Sequence, residues 1–245
     1  MKNVLILGAT SDIAKAIAHQ LARENVNLIL AGRNENELNR IAADLQVRYK
    51  GNYYPKVFKP TEYEKHNDFF RETVKLLGRL DGVILCYGYL GDQKIAEQDN
   101  SMAREIIEIN YLSCVSILHV AATYFENLRA GFICAISSVA GDRGRQSNYI
   151  YGSAKGALSL FLQGLRNRLS KLGVKVITVK PGFVDTKMTF GHKGMFLVAK
   201  PDKVAKDIIS AIKKGKPILY TPFFWKWIML IIKLIPEKIF MRLSL

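Results

Sequence analysis

The chain has few cysteines, and nothing in its sequence would divide it into parts. Its three cysteines, Cys86, Cys114 and Cys134, lie far apart within apolar runs, and no pair has the spacing of a metal site. Repeats, low-complexity runs and Gly/Ser linkers are all absent. An odd number of cysteines in apolar surroundings indicates free, buried thiols. We therefore expect a single domain without disulfide bonds or a bound metal.

An export signal and a membrane-spanning run are also missing. The strand-like run 4–7 begins almost at the N-terminus and leaves no room for a signal peptide. The most apolar stretch, 223–235, has 11 apolar residues out of 13. That is shorter than the roughly 20 residues needed to cross a bilayer. We expect a cytoplasmic protein, which would lie at the inner face of the membrane if this stretch binds lipid.

Acidic residues are few, with 21 against 36 basic residues and a net charge of +15. Such an excess would suit a phosphorylated substrate, an anionic membrane surface or nucleic acid. The basic residues are scattered, however, and no basic run interleaved with aromatics and no zinc-finger or RRM signature accompanies them. We therefore expect no nucleic-acid partner, and interpret most of these charges as solvated surface.

Short apolar runs alternate with longer stretches of helical periodicity along the chain. The runs are 4–7, 28–31, 54–58, 83–86, 132–136, 174–179 and 217–220, and the helical stretches are 12–24, 35–48, 62–77, 100–128, 149–172 and 201–214. This alternation predicts an α/β fold of the Rossmann type, a doubly wound parallel sheet of about seven strands with helices on both faces. Residues 1–221 would form the catalytic domain, and 222–245 an amphipathic extension of it.

Ligands of such sheets bind at the carboxyl ends of the strands. The first strand is followed by Gly8, Thr10, Ser11, Asp12 and Ile13. A glycine here permits a tight turn toward a pyrophosphate, and the next helix offers free N–H groups. A carboxylate so close to a diphosphate is unfavourable unless it faces away, and it could instead cap the helix. The loop also fits an ordinary strand–turn–helix connection.

The second strand is followed by Arg33, without an acidic residue at positions 31 or 32. Sites that select NAD(H) place a carboxylate here for the ribose hydroxyls, whereas a basic side chain accommodates the 2′-phosphate of NADP(H). Arg33 therefore favours NADP(H) over NAD(H). An arginine that opens a surface helix is the alternative.

The segment after the fifth strand contains the residues best suited to chemistry. Of eleven tyrosines, Tyr151 alone has a lysine, Lys155, four residues later, so both lie on one face of the predicted helix. A nearby ammonium is expected to lower the tyrosine pKa, which suits a general acid in carbonyl reduction. Ser138 ends the fifth strand, where its hydroxyl could stabilise charge on a substrate oxygen.

With these residues in place, the chain resembles the short-chain dehydrogenase/reductase family from Gly8 to about Tyr220. The resemblance implies an NAD(P)-dependent oxidoreductase with Ser138, Tyr151 and Lys155 as catalytic residues. It assigns Asn110 to a water-mediated proton relay with the lysine. The cofactor contacts that it implies are Gly8, Thr10, Ser11, Asp12, Ile13, Arg33, Gly88, Tyr151, Lys155, Pro181, Gly182, Val184 and Thr186.

The chain departs from the family pattern at two places. The family's Asn-Asn-Ala-Gly after the fourth strand is replaced by Leu85-Cys86-Tyr87-Gly88. Its aspartate after the third strand is replaced by the Lys59-Pro60 region. In the family that aspartate contacts adenine. The departures therefore concern the adenine and pyrophosphate contacts rather than the catalytic centre.

Within the family, the segments 87–92 and 141–145 and the C-terminal tail resemble the decaprenylphosphoryl-ribose 2-keto reductases. The resemblance implies reduction of a keto-pentose carried on a polyprenyl phosphate, in cell wall biosynthesis. Arg143 and Arg145 lie between the serine and the tyrosine, and their guanidinium groups suit a phosphate. Two exposed arginines in a solvated loop are the alternative.

The tail 222–245 allows three interpretations. Its tryptophans and lysines suit a membrane interface. It could also cover the active site and line an acyl channel, or pack in a subunit interface. The family resemblance implies a homodimer or homotetramer through the helices that carry Asn110 and Tyr151. Two other functions remain open, namely reduction of a different lipophilic carbonyl compound, and a non-catalytic role as a nucleotide-binding or membrane scaffold.

Overall fold

The computed structural model describes residues 1–191 and 196–243, and its strands form one parallel sheet. The strands are β1 Asn3–Leu7, β2 Asn27–Gly32, β3 Tyr53–Val57, β4 Gly82–Leu85, β5 Phe132–Ile136, β6 Lys175–Pro181 and β7 Ile218–Thr221. Their order in the sheet is β3-β2-β1-β4-β5-β6-β7. The predicted seven-stranded Rossmann-type sheet is confirmed, and each strand lies within two residues of the predicted run.

Helices connect the strands on both faces of the sheet. They are α1 Asp12–Arg23, α2 Glu35–Arg48, α3 His66–Leu77, α4 Gln93–Ala96, α5 Asn100–Ile107, α6 Ser113–Leu128, α7 Tyr149–Ser170, α8 Pro201–Lys214, α9 Trp225–Leu234 and α10 Glu237–Phe240. A π-helical turn, Glu108–Leu112, joins α5 to α6, and a 3₁₀ turn, Val139–Asp142, follows β5. The sequence did not predict α4, because four residues carry no periodicity.

Both faces of the sheet are buried, as its apolar strands require. In β1, Val4 and Ile6 pack toward α1, α2 and α8, whereas Leu5 and Leu7 pack toward α3, α6 and α7. Each of these four side chains is fully buried, and burying a side chain of this size contributes about 1.5–3 kcal/mol. The three cysteines are free and buried, as expected.

The run Asn100–Leu128 is long and apolar enough to span a membrane by length and composition. In the protein the π-helical turn interrupts it, and its second part, α6, packs in the core through Ile117, Leu118 and Phe125, all fully buried. It is therefore a core helix. Its apolar composition is explained by the sheet beneath it.

The C-terminal extension packs on the domain through α9, and its residues 244 and 245 lie outside the described residues. Trp225 and Met229 are buried against Val139 and Phe183. The helix ends at Leu234, where Pro236 stops further helical hydrogen bonding, as predicted. The extension thus joins the core of the domain at the turn that follows β5.

Arg143 fixes the end of this extension. Its Nη1 donates to the carbonyl oxygens of Ile232 and Ile235, both at 2.6 Å, and its Nη2 pairs with the Glu237 carboxylate at 2.9 Å. The guanidinium also lies 3.8 Å from the centre of the Phe240 ring. A cation at the carboxyl end of a helix is electrostatically favourable. Arg143 therefore ties α9 and α10 to the loop before α7.

The Val139–Asp142 turn and helix α7 meet backbone to backbone, at a distance that leaves no room for a Cβ atom at the contact. A Cβ on Gly141 would lie 2.6 Å from the nitrogen of Gly156, and one on Gly152 would lie 2.8 Å from the oxygen of Ala140. Real Cβ atoms essentially never come this close to backbone. Glycine at positions 141 and 152 is therefore what lets the turn and the helix meet.

We expect the two glycines Gly152 and Gly164 of α7 to respond in opposite ways to alanine. Gly164→Ala should raise the free energy of unfolding by up to about 1 kcal/mol, because alanine is the better helix former and nothing lies within 4 Å of its Cβ. Gly152→Ala should lower it by about 1–3 kcal/mol through overpacking. Urea unfolding of both variants measures this, and an equal gain in both would contradict the close contact.

Candidate active site

The candidate site lies at the carboxyl edge of the sheet, beside the switch point between β1 and β4. The chain leaves β1 toward one edge strand and β4 toward the other, which opens a crevice there. Gly8 follows β1, Gly88 lies three residues beyond β4, and Ser138 lies two residues beyond β5. The parallel register therefore brings three of the predicted site residues to one edge.

Two adjacent serines follow β5, and the structure distinguishes them. The Ser137 hydroxyl is buried and donates to the carbonyl oxygen of Lys155 at 2.8 Å. The Ser138 hydroxyl is half-buried and accepts from the N–H of Ala140 at 3.1 Å, as the cap of the 3₁₀ turn. Its proton is thus free to be donated elsewhere. Ser137 is structural, and Ser138 is the one that can face a substrate.

Tyr151 and Lys155 lie one turn apart near the start of α7, and both are buried. The lysine Nζ is 5.7 Å from the centre of the tyrosine ring and donates to the carbonyl oxygen of Ile136 at 3.1 Å. Burial raises the pKa of the Tyr151 phenol to about 12, and the Ser138 side chain offsets part of that rise. Burial lowers the pKa of the Lys155 ammonium.

The expectation that the Tyr151 pKa lies below its ordinary value is therefore wrong. Desolvation of the phenol outweighs an ammonium that hydrogen-bonds to a backbone carbonyl instead. The consequence for chemistry is that Tyr151 is protonated at neutral pH. A protonated phenol is the form that can donate a proton.

Asn110 lies in the π-helical turn and is fully buried. Its side chain is held by the backbone of Tyr89, whose N–H donates to Oδ1 at 3.1 Å, and by the carbonyl oxygen of Ile106 at 2.8 Å. A Cβ on Gly88 would lie 2.8 Å from Asn110 Oδ1 and 3.2 Å from Lys155 Nζ. Gly88, Asn110 and Lys155 therefore converge, and only glycine fits between the other two. π-Helical turns are frequent at functional sites.

The loop after β1 fits the pyrophosphate of a dinucleotide. Gly8 has a φ of +81°, which favours glycine, and its α-carbon packs against the backbone of Tyr87, so that a Cβ would lie 2.6 Å from the Tyr87 nitrogen. The next helix is capped by Ser11, whose hydroxyl accepts from the N–H of Ala14 at 3.3 Å. The remaining N–H groups of the first turn have no partner within the helix. Thr10 and Ile13 flank this opening.

Asp12 is not the helix cap, contrary to one expectation. It is the first residue of α1, and its carboxylate accepts a hydrogen bond from the backbone N–H of Lys187 at 2.8 Å. This bond ties the segment after β6 to the start of α1. The carboxylate therefore has a hydrogen-bond donor of its own, apart from the N–H groups expected to bind a diphosphate.

The segment after β6 closes the other side of the crevice. Thr186 shares a 3.2 Å hydrogen bond with Thr189 and Val184 bridges to Ala199. Gly182 packs flat on the indole of Trp225, since a Cβ would lie 1.9 Å from its Nε1. That Nε1 is buried and has no hydrogen-bond partner among the described residues.

The end of β2 is basic. Arg33 is exposed, and the neighbouring cleft of about 590 Å³ between α1 and α2 is lined by Lys15, Arg40 and Lys187 among others. Lys15 and Lys187 both pair with Glu37, at 2.5 Å and 3.7 Å. Arg33 follows directly after β2, the neighbour of β1 in the sheet.

The two arginines proposed as substrate residues differ in the structure. Arg143 binds the C-terminal extension through both of its Nη atoms, and the predicted phosphate contact would compete with these bonds. Arg145 has a buried Nε without a partner among the described residues, and burial lowers the pKa of its guanidinium. The Oδ1 of Asn148, three residues on, is likewise buried and unpartnered within the described chain.

Three residues that hold the Val139–Asp142 turn in place could not be predicted from the sequence. Asp142 is almost fully buried, pairs with Lys180 and accepts a hydrogen bond from the Tyr220 hydroxyl at 2.6 Å. Burial is the main cause that raises the pKa of Tyr220. These partners are 38 and 78 residues away in the chain, so local patterns could not reveal them. Asn148 was missed as well, because a single asparagine before a helix resembles an ordinary cap.

The comparisons with known proteins agree with this geometry. The family model described as short chain dehydrogenase matches residues 2–193. An uncharacterized oxidoreductase of Mycobacterium tuberculosis is 32% identical over 240 residues, covering 98% of this chain and 96% of that protein. Another, from Streptomyces coelicolor, is 30% identical over 244 residues, with 99% and 96% covered.

Solved structures share the fold. A short-chain dehydrogenase from Sphingobium yanoikuyae in complex with NADPH superposes with a TM-score of 0.83 at 22% identity, covering 97% of each chain. A structure titled ElxO with NADP bound gives 0.82 at 24% identity, covering 92% of this chain and 99% of its own. The chain belongs to the short-chain dehydrogenase family and is an NAD(P)-dependent oxidoreductase.

Proposed function

We propose that the chain reduces a ketone with NAD(P)H, using Tyr151 as proton donor. One observation carries the proposal, namely that Ser138, Tyr151 and Lys155 meet at the carboxyl edge of the sheet beside a loop that fits a pyrophosphate. The nicotinamide cofactor supplies a hydride to the carbonyl carbon when it is bound. The protein supplies the proton and the stabilisation of the oxygen.

In this mechanism Ser138 and Tyr151 both donate hydrogen bonds to the carbonyl oxygen. Charge that develops on the oxygen is stabilised by these donors in a buried site, where electrostatic interactions are strong. Tyr151 then transfers its proton to the oxygen. The phenolate that remains is favoured by the Lys155 ammonium, whose Nζ lies 5.7 Å from the ring. Asn110 holds the backbone around Gly88 in position for Lys155.

We further propose NADP(H) as the preferred cofactor. Arg33 is exposed at the end of β2, where the 2′-phosphate lies in sites of this kind. The Sphingobium yanoikuyae dehydrogenase and ElxO are described with NADPH and NADP respectively. These features support a phosphate contact at Arg33.

For the substrate we propose a keto-pentose on a polyprenyl phosphate, as the resemblance to the decaprenylphosphoryl-ribose 2-keto reductases implies. Arg145 supports it, because its buried Nε, in the loop between Ser138 and Tyr151, has no partner in the described chain and can donate to a phosphate. The buried Oδ1 of Asn148, likewise without a partner there, can only accept and would suit a sugar hydroxyl. The apolar residues of α9 near the same loop would suit a lipid chain. Another lipophilic ketone is the alternative, and a ketone without phosphate would leave the Arg145 guanidinium unused.

Changing Tyr151 to phenylalanine tests the reaction. We expect Tyr151→Phe to lower kcat about 100- to 10,000-fold, the usual contribution of a general acid, while NADPH still binds. Tyr149→Phe, two residues earlier on the same helix and exposed, is the matched control and should keep full activity. Steady-state turnover with NADPH measures kcat, and fluorescence titration measures NADPH binding. Normal turnover of Tyr151→Phe would refute the mechanism. If the wild-type protein bound neither NADPH nor NADH, a non-catalytic scaffold role would be favoured.

The cofactor preference depends on Arg33. We expect Arg33→Gln to weaken NADPH binding about 10- to 100-fold, the equivalent of the roughly 1.5–3 kcal/mol of a charged hydrogen bond, and to leave NADH binding unchanged. Arg71→Gln, on α3 far from the loop, is the control. Equal losses for both cofactors would contradict a 2′-phosphate contact.

The substrate phosphate is tested through Arg145. We expect Arg145→Gln to lower kcat/KM for a polyprenyl-phosphate keto-pentose about 10-fold or more and to leave simple ketones unaffected, because only the former has a phosphate for the guanidinium. Steady-state assays on both substrate classes measure this. Parallel losses on both would show that Arg145 acts on the fold of the loop instead.

A further inference from the structure

The outward face of α9 is apolar, although it faces away from the domain. Four large side chains share this face and are 42–72% exposed: Trp227, Leu230, Ile231 and Leu234. Their spacing of three, four and seven residues places them on one side of the helix. The opposite side, with Trp225 and Met229, is buried. A surface helix normally has one apolar and one polar face, so the outward face of α9 is suited to a partner.

The charges around this face are almost all positive. Lys226 and Lys233 are exposed and lie seven residues apart, along one flank of the helix. Beyond them follow the exposed Lys238 and Arg242. The sole acidic residue from 222 to the end of the chain is Glu237, and Arg143 pairs with it. The surface is thus apolar with a basic border, which complements an anionic lipid surface.

The dimensions of α9 argue against a protein partner of ordinary size. Ten residues of helix are about 15 Å long, so that one face offers at most a few hundred Å², roughly. A stable protein interface needs about 800 Å² from each partner. A lipid surface has no such requirement, because an interfacial helix inserts its apolar face only about 5–10 Å into the headgroup boundary. Tryptophan is enriched at that depth.

We propose that the outward face of α9 docks the protein on an anionic lipid bilayer, with Lys226 and Lys233 among the headgroups. The helix is presented as a rigid element, because Arg143 binds its last carbonyl oxygens and its inward face packs on Val139. Docking requires neither cofactor nor substrate. It is therefore independent of the proposed reaction, and either can fail without the other.

Docking would also bring the crevice close to the lipid. The inward face of α9 touches Val139, next to Ser138, and Trp225 packs on Gly182. The helix thus separates the catalytic edge of the sheet from the bilayer by its own width, about 10–12 Å. This consequence rests on the proposed function, since it concerns the access of a lipid-borne substrate.

Co-sedimentation of the full chain with vesicles tests the docking. We expect binding to phosphatidylglycerol vesicles, little binding to phosphatidylcholine vesicles, and weakening as salt is raised. Lys226→Gln and Lys233→Gln should each weaken partitioning about fivefold. Ile231→Ser with Leu234→Ser should weaken it more than tenfold. Val47→Ser, which removes an 88% exposed apolar side chain from α2, is the matched control and should change nothing.

The two tryptophans give a second readout that reports the orientation. Trp227 is 56% exposed on the outward face, and Trp225 is 1% exposed beneath it. Anionic vesicles should shift the fluorescence of Trp227 to shorter wavelength and protect it from acrylamide. Trp227→Phe should abolish both changes while the protein still sediments with the vesicles. The remaining Trp225 should give the same spectrum with and without lipid.

Several results would overturn the proposal. Equal binding to both vesicle types, or full binding by the Ile231→Ser, Leu234→Ser variant, would exclude this face as the anionic docking surface. If the face instead pairs two copies of the chain, light scattering would show half the wild-type mass for the same double variant. The wild type would then not bind vesicles. A blue shift with monomeric farnesyl phosphate but not with vesicles would identify the face as a substrate wall.

Discussion

The contact between the Val139–Asp142 turn and helix α7 determines where the rest of the site lies. The turn carries Ser138 at its start, and the helix carries Tyr151 and Lys155 in its first two turns. The two elements meet backbone to backbone because Gly141, Gly152 and Gly156 have no side chains to separate them. A methyl group at Gly141 or Gly152 would move one element against the other, and with it the hydroxyl of the serine against that of the tyrosine. The geometry proposed for proton transfer therefore depends on packing that involves no catalytic residue.

The same turn also anchors the C-terminal extension, which links the extension to the site. Val139 packs against Trp225 and Met229, and Asp142 binds Lys180 and Tyr220. Arg143, the next residue, binds the end of α9. These contacts thus connect one short turn and the residue after it to β6, β7 and α9. The extension therefore packs directly on the turn that begins after Ser138.

The sequence predicted the sheet well because several strands are continuous apolar runs and the longer helices have their own periodicity. Ser138, Tyr151 and Lys155 could be found because their spacing is local, within one strand end and one helix. The roles of Arg143 and Asp12 could not be found. Their partners are about 90 and 175 residues away, and a local pattern cannot distinguish an arginine that caps a distant helix from one that faces solvent. The predicted direction of the Tyr151 pKa shift was wrong for a related reason, since the burial that raises this pKa depends on the whole fold.

The apolar outward face of α9 would be a liability in a protein that never meets a partner, because exposed apolar patches promote association. Its inward face alone accounts for the burial of Trp225 and Met229, so stability of the fold does not require Trp227, Ile231 or Leu234 to be apolar. Serine or lysine at those positions would leave the inward packing intact. The proposed docking gives these outward residues a role, and the lysines along the flank would supply its charge. Under that proposal, a reductase whose catalytic turn packs on the same helix would work at the surface where the proposed lipid-borne ketone is found.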